Sequence, residues 1–195
     1  MFQLIDAEDV IRVDPISFGT SLNKAAVKIL KTKYESTLSP EFGYIILIMD
    51  VKADKTGKIL PSDAATYHAV SFKILTYMPK LQEVVEGAVV EVTDFGAFIR
   101  IGPVDALLHL SQITDEYLNS DVRQGLISAQ QSNRVVRVGT MMRVRITAIS
   151  LARTSMGKIG VTCRQPFLGA LDWIEEDLKI QTNTKTNTKN KTDDQ

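Results

Sequence analysis

Five short strand patterns in the second half of the chain constrain its fold more than any other feature. Turn residues separate neighbouring runs, as Gly102-Pro103 does between the second and the third. The runs cover residues 84–92, 95–101, 106–110, 143–151 and 158–164. Five short strands at this spacing are typical of a small closed β-barrel.

A helix is predicted in the first half of the chain. Its apolar residues recur at intervals of three and four, which places them on one helix face. They are Leu22, Ala25, Ala26, Ile29 and Leu30. Thr20 or Ser21 is a candidate N-cap, and Ser39-Pro40 is expected to stop the helix.

Strands are predicted around this helix. Residues 2–13 predict one or two short strands, and residues 69–78 predict another. Residues 42–51 are apolar enough to predict a strand buried on both faces. Residues 55–58, Lys-Thr-Gly-Lys, predict a turn. The first half therefore reads as a mixed α/β domain.

Three segments of the second half lie outside the strand patterns. Residues 111–133 are polar and predict a loop, with one short helix around 115–118. Residues 168–178 predict a final helix. Residues 181–195 are rich in Asn, Thr and Lys and lack the apolar residues of a core, so disorder is expected there.

Composition excludes several classes of protein and site. The chain has 195 residues, a formal net charge of zero and a single cysteine, so no disulfide framework or zinc ribbon is expected. No phosphate-binding loop or nucleophile elbow is present. A signal peptide or a membrane span is not expected either. We therefore predict a cytoplasmic protein without membrane contact, metal, cofactor or catalytic residues, and read Cys163 as a core thiol.

Two aromatic residues, Phe95 and Phe98, flank Gly96 and Ala97 in the second strand pattern. Residues three apart in a regular strand point to opposite faces. A glycine that permits a bulge or a sharp bend would bring both rings to the same side. Rings displayed in this way form a platform on which nucleic-acid bases stack. The alternative is that both phenylalanines belong to the core.

His109 lies between Leu108 and Leu110. Strand alternation places the two leucines inside the barrel and His109 on its surface. An imidazole there can stack on a base or contact a phosphate. The alternative is a surface histidine with no special role.

Charge is unevenly distributed, although the net charge is zero. No acidic residue occurs between Asp121 and Asp172. Basic residues in this stretch are Arg123, Arg134, Arg137, Arg143, Arg145, Arg153, Lys158 and Arg164. Such a stretch predicts phosphate binding, and its alternative is docking on an acidic protein surface. If several of these arginines bind RNA, affinity should fall steeply with salt.

The barrel pattern resembles a known RNA-binding family. Gly87, Val89, Val92, the Phe-Gly-Ala-Phe element at 95–98 and the run Leu-Leu-His-Leu-Ser-Gln-Ile at 107–113 resemble the OB-fold repeat named for the largest protein of the bacterial small ribosomal subunit. That resemblance implies that Phe95, Phe98 and His109 face single-stranded RNA. The family usually has an acidic residue near the position of Ser150 and a basic residue before the fifth strand.

The basic position of that family falls here on Arg153 or Lys158. Together with Arg143 and Arg145 from the acid-free stretch, these residues complete the predicted RNA-binding set. Because Ser150 replaces the usual acidic residue, we expect modest affinity for RNA with little sequence preference.

A second resemblance covers residues 1–178. The segments Ala-Thr-Tyr-His at 65–68, Gln-Glu-Val-Val-Glu-Gly at 82–87 and the run from Lys158 to Ile174 resemble the archaeal RNA polymerase stalk family called E prime. The resemblance implies an α+β chain with a truncated ribonucleoprotein-like domain at 1–82, an OB-fold barrel with a terminal helix at 83–180, and a polar tail at 181–195.

The same resemblance implies a non-catalytic subunit of DNA-directed RNA polymerase. Its first domain would dock on the polymerase core subunits, its barrel would bind nascent RNA, and a small helical protein, the F subunit of the stalk, would be its partner. The alternatives are a stand-alone RNA-binding protein of translation or RNA decay, and a purely structural bridge whose aromatic residues are buried under a partner.

Overall fold

The computed structural model describes residues 1–132, 134–150 and 158–179. These residues form two compact units, one spanning Met1–Pro79 and the other Lys80–Ser150 with 158–179. The first combines a sheet with one helix and the second is built around a barrel, so the predicted α+β class is confirmed. Arg153 and the polar tail lie outside the described residues.

The first unit is a four-stranded antiparallel sheet with a helix on one face. Its strand order is β1-β4-β3-β2. The elements are β1 (Phe2–Val13), α1 (Leu22–Tyr34), β2 (Leu38–Ser39), β3 (Gly43–Ile59) and β4 (Thr66–Tyr77). A short 3-10 turn, Pro15–Ser17, lies between β1 and α1. Residues 2–13 thus form one long strand.

Helix α1 buries the apolar face that its spacing predicts. Ala26 and Leu30 are fully buried against the sheet. Ser21 occupies the N-cap position, although its side chain makes no capping hydrogen bond. The helix ends at Tyr34, before the predicted stop at Ser39-Pro40. The chain turns there because Glu35 is extended and its carboxylate accepts a hydrogen bond from the Ile48 N–H at 3.1 Å.

Strand β3 differs from its prediction in two ways. It runs through residues 55–58, where a turn was expected, and three register shifts against β4 absorb the extra residues. Gly57 allows this path, since a Cβ there would lie 2.5 Å from Cε1 of His68. The strand is also buried mainly on one face, because α1 covers only that side of the sheet.

The second unit contains the predicted five-stranded barrel. Its strands are β5 (Val84–Val92), β6 (Gly96–Ile101), β7 (Val104–His109), β11 (Met141–Ser150) and β12 (Lys158–Thr162). They follow the order β12-β7-β6-β5-β11, and the pairing of β11 with β12 closes the barrel. Ile99, Leu108 and Val144 point inward and are fully buried.

The predicted loop at 111–133 is wrong. After a 3-10 turn at Leu110–Gln112, the chain forms a small antiparallel sheet of three strands: β8 (Leu118–Asp121), β9 (Leu126–Ala129) and β10 (Val135–Arg137). Ile127 and Val136 of this sheet enter the barrel core, while Asn119 and Arg137 stay exposed. Its strands are only three or four residues long, so their alternation is hidden in a polar stretch.

The end of the described chain returns to the barrel. Gly169–Ala170 pairs with β11 as β13, and helix α2 follows at residues 171–179. The helix therefore begins later than the predicted residue 168. None of the helices in the described parts of the chain is long and apolar enough to cross a membrane.

Candidate nucleic-acid interface

Phe95 and Phe98 lie in contact at the start of β6. Their ring centroids are 6.3 Å apart and the ring planes are nearly perpendicular, at 87°. Phe95 keeps 45% of its surface exposed, and Phe98 is half-buried. The predicted juxtaposition of the two rings is therefore present, and neither ring is part of the buried core.

The glycine between the rings acts differently from the prediction. Strand β6 pairs with β7 without a register shift, so no bulge occurs at Gly96. Phe95 instead lies in the bend between β5 and β6, where the Thr93 N–H donates to the Gly96 carbonyl at 2.8 Å. Gly96 allows close contact with β7, because a Cβ there would lie 2.2 Å from the Leu108 carbonyl oxygen.

Neighbouring strands extend the surface around Phe98. The hydrogen-bonded registers place Gly160 of β12, Leu107 of β7, Phe98 of β6 and Glu91 of β5 side by side. Their sequence neighbours Val161, Leu108 and Ile99 point into the core. We call the outward surface formed by Phe95, Phe98, Leu107 and His109 the aromatic face. Leu107 was not among the predicted site residues, although strand alternation places it on the same side as His109.

His109 is exposed at the end of β7, directly opposite Gly96. Its Nδ1 accepts a hydrogen bond from the Ser111 N–H at 3.2 Å. A neutral imidazole must therefore carry its proton on Nε2. The ring is thus fixed beside the Phe95 bend and presents an N–H donor.

Two of the predicted arginines are engaged within the chain. Arg143 Nη2 lies 2.8 Å from the Glu86 carboxylate, and Arg145 donates to the Gln82 carbonyl at 3.1 Å. Both side chains belong to the part of β11 that pairs with the beginning of β5. Glu86, the partner of Arg143, precedes Glu91 by five residues in β5. Glu86 therefore lies roughly 16 Å along the strand from the residue beside Phe98.

Lys158 lies in β12, the strand that pairs with β7 beside the aromatic face. It precedes Gly160 by two residues in β12, so its side chain leaves the strand on the outward side, the same side on which Gly160 lies beside Leu107. Lys158 is exposed.

Acidic residues from outside the basic stretch neutralise much of its charge. Arg134 Nη2 lies 2.6 Å from Asp177 Oδ1, and the Arg134 guanidinium stacks over the Trp173 ring. Arg164 forms an ion pair with Asp115. Among the described residues, Arg123, Arg137 and Lys158 are the cations of this stretch whose side chains form no ion pair or hydrogen bond within the chain. The electrostatic footprint is therefore smaller than the sequence suggests.

The two halves of the chain match different family models. Residues 78–157 match the S1 RNA binding domain, and residues 8–64 match the SHS2 domain found in the N terminus of Rpb7p/Rpc25p/MJ0397. The first match contains the aromatic face, and the second contains the second half of β1, all of α1 and all of β3.

Relatives align with nearly the whole chain. DNA-directed RNA polymerase subunit Rpo7 of Saccharolobus shibatae is 40% identical over 182 residues, which cover 92% of this chain and 100% of the relative. The chain belongs to the Rpo7 family. Rpo7 of Sulfolobus acidocaldarius is 36% identical over 91% of this chain and 97% of that protein. DNA-directed RNA polymerase II subunit RPB7 of Saccharomyces cerevisiae is 26% identical over 88% and 100%.

In this member of the Rpo7 family, the described residues contain no group of three or more His, Cys, Asp or Glu side chains arranged to hold a metal ion. Cys163 is buried, and burial raises the pKa of its thiol to about 12. A thiol of this kind stays protonated and unreactive at neutral pH. Cys163 is therefore a core residue, as its sequence context predicts.

Proposed function

We propose that this chain is a non-catalytic stalk subunit of a cytoplasmic DNA-directed RNA polymerase, whose barrel binds nascent single-stranded RNA. The aromatic face carries this proposal. Phe95 and Phe98 present adjacent rings, and base-on-aromatic stacking contributes about 1–3 kcal/mol per base. His109 adds a third ring and an N–H donor beside them.

Stacking explains why such a face suits a transcript of any sequence. Every base has a π face, whereas base identity is read by hydrogen bonds to base edges. The outward neighbours Leu107 and Gly160 offer no such side-chain hydrogen bonds, and Glu91 repels phosphate. We therefore expect RNA to bind with little sequence preference through its bases.

The first unit offers a surface for docking on the polymerase core. One end of its sheet lies where Thr66 of β4 pairs with Val13 of β1 and with Ile59 of β3. Large apolar side chains are exposed in the segments at this end: Ile16 is 97% exposed, Phe18 53%, Ile59 72% and Leu60 47%. Exposed apolar patches of this kind mark protein interaction sites.

An ion pair fixes these segments relative to each other. Arg12 donates to both Asp63 carboxylate oxygens, at 2.7 and 2.8 Å. Asp63 also accepts from the Tyr67 hydroxyl at 2.7 Å. The link joins the end of β1 to the loop between β3 and β4, so the exposed apolar residues are held in place before the polymerase core binds. We further propose that a small helical protein, the F subunit of the stalk, is the chain's partner.

RNA binding is tested by Phe95→Ala/Phe98→Ala in the full chain. Affinity for an unstructured RNA oligonucleotide, measured by fluorescence anisotropy, should fall at least about tenfold, since each lost stacking contact weakens binding by a comparable factor. Phe18→Ala is the matched control, because it removes an exposed ring from the other unit. Unchanged RNA affinity with loss of a protein partner would instead support the structural bridge.

Membership in the polymerase is tested by affinity purification from native extract. We expect the large catalytic subunits and one small helical protein to be recovered with the chain. Ile16→Asp/Ile59→Asp should lose the catalytic subunits while keeping its affinity for RNA. Recovery of ribosomal or RNA-decay proteins in place of polymerase subunits would favour the stand-alone RNA-binding protein.

A further inference from the structure

Two exposed aromatic residues at one end of the barrel have no place in the aromatic face. Tyr117 keeps 79% of its surface exposed and Phe167 keeps 49%. Both lie in segments between regular elements, Tyr117 just before β8 and Phe167 between β12 and β13.

The backbone holds Phe167 outward in a conformation that disfavours it. The Leu168 N–H donates to the Gln165 carbonyl at 3.3 Å, and Phe167 has a φ of 62°. With Pro166 before it, this is the pattern of a type II turn, whose third position is normally Gly or Asn. A bulky side chain kept at positive φ and half exposed to solvent points to a functional constraint.

Two contacts join the segments that carry these aromatic residues. The Cys163 N–H donates to the Gln112 carbonyl at 2.8 Å. The Arg164 guanidinium donates to the Asp115 carboxylate. Tyr117 follows Asp115 by two residues, and Phe167 follows Arg164 by three. The two rings therefore belong to neighbouring segments tied together at their bases.

These segments continue directly from the aromatic face. Strands β7 and β12 run parallel and pair at Leu107 with Gly160 and at Leu108 with Val161. His109 ends β7, and the segment with Tyr117 follows it. The segment with Phe167 follows the end of β12. The segments with Tyr117 and Phe167 therefore leave the barrel at the end of the aromatic face where His109 lies.

We propose that Tyr117 and Phe167 form a second stacking site for unpaired bases of the same RNA strand. This inference rests on the proposed RNA-binding function and extends it beyond Phe95, Phe98 and His109. The ligand is recognised through its bases, because the nearby cation Arg164 is already neutralised by Asp115. The barrel then carries two aromatic sites along one RNA path.

A length series of RNA separates the two sites. Fluorescein-labelled oligouridylates of about 4 and about 12 nucleotides fall within the range of roughly 4–16 nucleotides that one OB fold covers. For the full chain, the longer oligonucleotide should bind more tightly. Tyr117→Ser/Phe167→Gly should weaken binding of the longer RNA by about tenfold and leave the shorter one unchanged. Phe95→Ala/Phe98→Ala should weaken both.

Single variants show whether a loss of RNA binding comes from misfolding. Tyr117→Phe keeps the ring and should bind both lengths like the wild type, and Phe167→Asn suits the positive φ while it removes the ring. The inference is overturned if Tyr117→Ser/Phe167→Gly binds the longer RNA normally, or if the single variants Phe167→Asn and Tyr117→Ser both do so. In either case Phe95→Ala/Phe98→Ala must bind the longer RNA weakly in the same assay. Normal binding of both RNAs by all variants would show that RNA binds elsewhere on the chain, and would overturn the proposed role of the aromatic face as well. Normal RNA binding with loss of a co-purifying protein would identify a protein-docking surface instead.

Discussion

At the residue scale, the absence of a side chain at one position determines how β6 meets β7. Gly96 lies opposite His109, and its Cα approaches the β7 backbone so closely that a methyl group would overlap the Leu108 carbonyl. Backbone atoms cannot rotate away as a flexible side chain can. The spacing between the Phe95 bend and His109 therefore depends on this glycine.

Gly96→Ala should lower the free energy of unfolding by about 1–3 kcal/mol, as overpacking in a tight site does. It should also weaken RNA binding, because separating β6 from β7 moves Phe95 away from His109. Urea denaturation and anisotropy measure the two effects. Gly19→Ala is the matched control, since no atom outside Gly19 and its two chain neighbours lies within 4 Å of its added methyl group. Equal stability of the two variants would contradict the close contact.

The buried thiol of Cys163 leads to a second prediction at the residue scale. Burial raises the pKa of its thiol to about 12 in the folded chain, against roughly 8.5 in an unfolded one. Between these values the unfolded chain loses this proton and the folded chain keeps it. Stability is therefore present below the unfolded pKa and is lost as pH rises toward the folded one.

The measurement for Cys163 is the free energy of unfolding of the wild type and of Cys163→Ala from about pH 7 to about pH 10. The wild type should lose more stability than the variant above about pH 8.5. The difference isolates the thiol, since the other titrating groups are shared. Parallel curves would show that Cys163 is more accessible than its burial indicates.

At the element scale, the Arg12–Asp63 ion pair orders the end of the first sheet. Hydrogen bonds from Arg12, then from Tyr67 and the Ala65 N–H, hold the pKa of the Asp63 carboxyl well below its usual range. A depressed pKa stabilises the fold above the unfolded value of about 3.9, and this stability is lost as pH falls below it.

Asp63→Asn should therefore lower the Tm at neutral pH, and its difference from the wild type should shrink as pH falls below about 4. Scanning calorimetry over this range measures both. Asp6→Asn, which alters an exposed carboxylate of β1, is the control and should change the Tm little. A difference that persists unchanged in acid would show that the carboxylate charge is not what stabilises this loop.

The elements differ in how far the sequence predicts them. The spacing from Leu22 to Leu30 predicts α1, and five apolar runs predict the barrel strands, because long or regular patterns outweigh local turn signals. The prediction of a turn at 55–58 was wrong. The bulges of β3 let this strand stay paired with β4 across the Lys-Thr-Gly-Lys stretch. Strands β8 to β10 were missed because each has only three or four residues.

The predicted site shows the same limit. The pairing of Phe95 with Phe98 follows from residue types and spacing, and His109 from alternation. The ion pairs of Arg143 with Glu86 and of Arg164 with Asp115 join residues 57 and 49 positions apart, which no local pattern reveals. The predicted RNA-binding residues stay predictions, as do the domain limits at residues 82 and 180. These residues are Phe95, Phe98, His109, Arg143, Arg145, Arg153 and Lys158.

At the scale of the whole molecule, internal ion pairs change the expected salt dependence. The acid-free stretch predicted a steep fall of RNA affinity with salt if its arginines bind phosphate. With Arg134, Arg143 and Arg164 paired to acidic residues, few cations remain for RNA. We therefore expect a slope of log affinity against log salt of magnitude below about 2, since each phosphate contact on a single strand contributes about 0.7.

Anisotropy titrations between low and high salt measure this slope. Lys158→Ala should reduce its magnitude by about 0.7, and Arg143→Ala should leave it unchanged. A slope several times steeper would mean that the internal pairs open when RNA binds.

The aromatic face also sets how long a transcript stays bound. Affinity differences between related complexes lie mostly in the dissociation rate, and two or three stacked bases without a set of phosphate contacts dissociate quickly. An RNA held in this way exchanges one base for the next as it is pulled past. A face built mainly of Phe95, Phe98, Leu107 and His109 thus guides a lengthening strand while offering little resistance to its movement.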